Sequence, residues 1–135
     1  MRALEHLELY ANAGNRIDLA VINTRVLARG AANATLHGEA VPARLPEAVL
    51  DLSQAVKALA TYLEEPGGPE EARRFALEAA RKATEVLEER HDLAASVHVG
   101  QVRSAAVDIL RSTGMDQASA LQALEEAAGR ASEIG

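Results

Sequence analysis

The chain has 135 residues, a formal net charge of −6, no cysteine, and only Tyr10, Tyr62 and Phe75 as aromatic residues. That length supports one domain with one core, and the lack of cysteine excludes disulfides, thiolate zinc sites and cysteine nucleophiles. The acidic balance opposes nucleic-acid binding without a segregated basic face, and no apolar run approaches the ~20 residues of a membrane helix.

Five helices are predicted in chain order, with no strand pattern between them. The first covers about residues 3–29, where Leu7, Tyr10, Gly14, Ile17, Val21, Thr24 and Ala28 form a stripe at helical spacing. Gly14 costs about 1 kcal/mol there relative to Ala, which close packing against a neighbour would offset. Gly30 to Pro46 reads as a loop, long for a bundle. The second helix covers about residues 46–64, with Pro46 in its first turn and an apolar stripe of Val49, Leu52, Val56, Leu59 and Leu63. Pro66-Gly67-Gly68-Pro69 then breaks the chain.

The third helix covers about residues 69–90, with Glu70 and Glu71 placed to complement its dipole. Ala72, Phe75, Ala76, Ala79, Ala83, Val86 and Leu87 form its buried side. The fourth covers about residues 93–113. Its apolar stripe is Val99, Val102, Ala106 and Ile109, its polar stripe Gln101, Ser104, Asp108 and Arg111, and Gly114 stands at the left-handed cap position. Asp116 caps a shorter fifth helix through about residue 128, with Leu121 and Leu124 facing inward. These elements predict an all-α fold: a single-domain antiparallel four-helix bundle over residues 1–135 with a short fifth C-terminal helix.

Familiar bundle chemistries are incomplete in this sequence. Glu88 and His91 have the spacing of one half of a di-iron site, but no second Glu-x-x-His pair exists. Glu89 and Asp92 match half of a Mg²⁺ cradle, without the other carboxylates that octahedral coordination requires. His98, the one position suited to phosphotransfer, lacks a basic residue one turn later. Arg73, Arg74, Arg81 and Lys82 are interleaved with Glu70, Glu71, Glu78, Glu85, Glu88 and Glu89 and read as a solvated mixed-charge face. No phosphate loop or nucleophile motif is present, so no catalytic residue, metal or cofactor is assigned and the chain is read as a non-enzyme.

Polar residues inside apolar stretches stand out instead: Asn15, Asp18, Asn23 and Arg25 on the first helix, and Gln101, Arg103, Ser104 and Asp108 on the fourth. The structural reading has Arg25 or Arg103 paired with Asp18 or Asp108 across neighbouring helices, fixing register. The functional reading has them line a groove for a ligand or partner.

Two stretches resemble a known family. Val99-Gly100-Gln101-Val102-Arg103-Ser104-Ala105-Ala106-Val107-Asp108-Ile109-Leu110-Arg111-Ser112-Thr113-Gly114 is similar to a signature in the C-terminal domain of bacterial fusaric acid resistance and aromatic acid exporter proteins, of the actinobacterial type. It departs at Ala105, where Thr is common, and at Ile109 in place of Leu. Asn23-Thr24-Arg25-Val26-Leu27-Ala28-Arg29 resembles a stretch of the first long helix of that domain. The resemblance implies a helical domain on the cytoplasmic side of the cell membrane, here either an excised piece or a stand-alone relative. Its expected partner is the transmembrane portion of an exporter of aromatic acids or similar compounds, and its expected role is assembly or regulation. A homo-oligomer is compatible with its small-residue seams; nucleic acid is not an expected partner. The alternative is a bundle that senses or binds an aromatic acid, with Arg25 and Arg103 offered to the carboxylate. In the structural reading Asp18, Gln101, Ser104 and Asp108 form a polar network.

Overall fold

Proline, glycine and two aspartates set the helix ends in the computed structural model. It describes residues 42–65 and 67–134 and, before these, Asp18, Val21, Arg25 and Arg29, with side chains of the last helix described through Gly129. The four early positions are helical; the remainder of the predicted first helix, and most of the predicted loop after it, lie outside the described residues. The described helices are α1 (Arg44–Glu64), α2 (Glu70–Glu89), α3 (Leu93–Ser112) and α4 (Gln117–Ile134). They correspond to the predicted second to fifth helices, and no strand occurs among the described residues.

α1 begins two residues before Pro46, because a proline within the first turn forfeits no intrahelical hydrogen bond. Pro69 takes the position before α2, with Glu70 and Glu71 in the first turn. Asp92 caps α3: its Oδ1 accepts the Ala95 amide at 2.8 Å. At the other end Gly114 has φ +103°. Its amide donates to the Arg111 carbonyl at 3.0 Å, and the Met115 amide to the Leu110 carbonyl at 3.4 Å. This paired closure satisfies carbonyls that a helix end would otherwise leave open. Asp116 Oδ1 then accepts the Ser119 amide at 2.7 Å and starts α4, which runs to Ile134, past the expected end near residue 128.

α2 is the spine of the bundle and touches α1, α3 and α4, whereas α1 and α4 do not meet among the described residues. Its buried side is Ala72, Ala76, Ala79, Ala80, Ala83 and Val86. Small side chains let neighbouring helices approach closely and admit their larger residues. Leu52 and Leu59 of α1, Val99, Val102, Ile109 and Leu110 of α3, and Leu124 of α4 are all at most 1% exposed. The α3 stripe read from sequence is therefore a core stripe; of the α1 stripe, Val49, Leu52 and Leu59 are buried and Val56 packs partly buried against them, while Leu63, at the end of the helix, is only half-buried and outside that core.

α4 corrects one expectation. Leu121 was placed inward with Leu124, yet it is 42% exposed. α4 leans on α2 more than on α3 and buries Ala120 and Leu124, one turn apart. That narrow stripe leaves Leu121 on its edge.

Candidate functional site

The polar stripe of α3 faces outward beside α4, and the two helices enclose an open groove of about 390 Å³. Gly100, Arg103, Ser104, Val107, Asp108 and Arg111 line it from α3, and Gln117, Leu121 and Leu124 from α4. The groove exists because the Gly114 turn redirects the chain and α4 then settles against α2. Three exposed apolar residues border or line this side: Leu93 at 81%, Val97 at 49% and Leu121 at 42%.

The groove is mixed in charge: Asp108 lines it beside Arg103 and Arg111, and Asp116 lies within electrostatic reach of Arg111. Arg103 Nη1 donates to the Thr84 hydroxyl at 3.1 Å, and Arg111 Nη1 donates to Gln117 Oε1 at 3.0 Å. Both acceptors are neutral, and the Arg111 Nε is buried without a hydrogen-bond partner. Elsewhere most arginines are matched with carboxylates. Arg44 reaches Glu47 at 3.0 Å and Glu85 at 2.9 Å. Arg81 holds Glu78 and Glu85, and Arg90 holds Asp92 at 2.7 Å. The Arg81 hydrogen bond, outweighing desolvation, holds the Glu78 carboxyl below its ordinary range.

The structure brings together three of the residues singled out in the sequence. Arg103, Ser104 and Asp108 come together in the groove, and Gln101 is exposed beside them. Asp18 and Arg25 are helical and exposed. Arg103 crosses to Thr84 of α2 rather than to an aspartate.

The register of the bundle rests on contacts that the sequence reading missed. Arg73 donates from Nε to the Thr113 hydroxyl at 2.8 Å and from Nη2 to the Thr113 carbonyl at 3.0 Å, so α2 caps the end of α3. Lys82 of α2 pairs with Asp51 of α1 at 2.8 Å, both largely enclosed. The face read as solvated and mixed-charge is therefore half structural: Arg73 and Lys82 bridge helices, whereas Arg81 pairs with Glu78 and Glu85 along α2 and Arg74 lies over the Phe75 ring at 4.4 Å on the surface. The one available signal was position: Arg73 and Lys82 flank the alanine seam rather than oppose it.

Glu88 and His91 are exposed at the α2–α3 connection, and Asp92 is occupied by its cap and by Arg90. Among the described residues, no group of three or more His, Asp or Glu is placed to hold a metal ion, and no helix is long and apolar enough to cross a membrane. Comparison with known protein families, with curated proteins and with solved structures finds no match.

Proposed function

We propose that this chain is an assembly or regulatory domain that docks through the outward face of α3 and its groove with α4, in keeping with its resemblance to the cytoplasmic domain of aromatic acid exporters. The observation that carries this reading is the concentration of exposed Leu93, Val97 and Leu121 around the polar stripe of the signature helix. A rigid helix face with apolar anchors and a polar rim is the form of a helix-docking surface. The rest of the bundle supplies the stiffness: Val99, Val102, Ile109 and Leu110 of α3 are buried in the core.

The test begins with the gene. Hydrophobic helices encoded upstream of Met1, or in a neighbouring frame, identify the membrane portion. Co-purification of that portion with the chain, lost in Leu93→Glu/Val97→Glu, is the expected result. Co-purification unaffected by those changes refutes docking through this face.

A second reading is favoured by one observation: the side-chain hydrogen bonds of Arg103 and Arg111 go to neutral acceptors, Thr84 and Gln117, and the Arg111 Nε is buried without a hydrogen-bond partner. Two guanidiniums beside Val107, Leu121 and Leu124 suit a small apolar carboxylate. Calorimetric titration with benzoate and similar acids decides it: heat that vanishes in Arg103→Gln supports binding, and no heat at millimolar ligand removes it.

A further inference from the structure

The chain has no cysteine, and its two methionines are Met1 and Met115. Met115 follows the Gly114 turn between α3 and α4. It is half-buried and packs against the core cluster that contains Leu110, Ala120 and Leu124. Its amide donates to the Leu110 carbonyl in the paired closure of α3. A helix end closed in this way is commonly sealed by an apolar side chain at the Met115 position.

The two helices that meet at Met115 are fastened differently. The end of α3 has its own latch: Arg73 of α2 donates to the Thr113 hydroxyl and to the Thr113 carbonyl, and that hydroxyl donates to the Leu110 carbonyl at 2.6 Å. α4 is held by less. Ala120 and Leu124 are its buried residues among those described, and Gln117 is reached by Arg111 at an exposed position. Between Leu110 and Ala120, Met115 is the single large apolar side chain. The start of α4 therefore depends on it for apolar contact with the core.

We propose that Met115 is an oxidation site that governs the docking of α4. Conversion of its thioether to the sulfoxide by a peroxide frees the start of α4 from the core and leaves α1, α2 and α3 closed. In the step, a sulfur lone pair attacks one peroxide oxygen. The S–O bond forms as the O–O bond breaks, and the departing oxygen takes up a proton and leaves as water. The thioether is oxidised by two electrons and the peroxide is reduced by two. A flexible, half-buried thioether admits so small an oxidant. The product is polar where an apolar group was packed, so water competes with the core for it. The Arg73 latch keeps the end of α3 in place, which confines the release to α4. The contact is internal to the chain and operates whether or not the α3 face docks a partner.

Hydrogen peroxide applied to the full chain tests this, with peptide mapping to locate the added oxygen and amide exchange to read the helices. The expected result is oxygen at Met115 and exchange faster by at least about tenfold at Ala120 to Leu124, with α1 and α2 still protected. Methionine sulfoxide reductase should restore the original rates. Met115→Leu keeps the apolar volume without the sulfur and should be indifferent to peroxide, although its Met1 still oxidises. Met115→Gln carries a polar group from the outset and should resemble the oxidised parent before any treatment. Oxygen at Met115 with α4 still protected overturns the proposal, as does oxidation that stops at Met1. An equal response in Met115→Leu assigns the effect to Met1 and overturns it too. Uniform acceleration across all four helices, or a Met115→Gln chain without helical circular dichroism, refutes a release confined to α4.

Discussion

Gly114 turns the backbone at φ +103°, a region that a β-carbon makes costly, and the space around it is open. Gly114→Ala therefore adds strain without a clash. The expected loss is about 1 kcal/mol in urea unfolding, and an unchanged midpoint would show that the turn relaxes to negative φ. Lys82 and Asp51 pose a different single-residue problem. Their side chains are 17% and 14% exposed, and they pair at 2.8 Å between α2 and α1. Lys82→Met leaves the Asp51 carboxylate enclosed without its counter-ion, at a cost of about 2–3 kcal/mol, while Asp51→Leu together with Lys82→Met recovers most of it. A double-mutant cycle in denaturant reads both numbers, and equal losses in the single and double variants would refute the pairing.

At the scale of elements, helix starts and stops were legible because they are local. Pro69, Asp92, Gly114 and Asp116 act through geometry within a few residues, and each sits at an observed helix boundary. Core stripes were legible where the whole apolar face of a helix is enclosed by its neighbours, as with Val99, Val102, Ala106 and Ile109, all at most 1% exposed on a helix that meets α1, α2 and α4. α4 was less legible, since which leucine is buried depends on the direction from which α2 approaches. The candidate site was half legible: the polar stripe of α3 was seen, but its groove is completed by α4. Cross-helix contacts such as Arg73 with Thr113, forty positions apart, leave no local pattern. Capping also predicts behaviour at this scale. Asp116→Ala removes the acceptor for the Ser119 amide and frays the start of α4. Amide exchange should accelerate at Ser119 and Ala120 while α2 stays protected; uniform acceleration across α2 and α4 would mean that α4 is not a separate unit of opening.

For the whole molecule, the carboxylates set the response to acid. Asp92 is held below its ordinary value of 3.8 by the Ala95 amide and then Arg90. Asp116 is held below the same value by the Ser119 amide, and Glu78 below 4.5 by Arg81. Each therefore binds a proton less readily in the folded chain than in the unfolded one. Their stabilisation is complete above the ordinary carboxylate range and is lost as pH falls through it and below. Acidification from neutrality first relieves the repulsion of a chain at −6, so stability should hold or rise slightly toward pH 5 and then fall steeply. The caps account for part of that fall. Asparagine caps a helix as well as aspartate but does not titrate. Asp92→Asn/Asp116→Asn should thus keep a thermal midpoint near that of the parent chain at pH 7 and lose less of it between pH 5 and pH 3. Parallel acid profiles for parent and variant would assign the loss elsewhere, to the Glu78 and Glu85 pairs with Arg81 along α2. Moderate salt separates those two sources, because exposed ion pairs are screened and short cap hydrogen bonds to backbone amides are not.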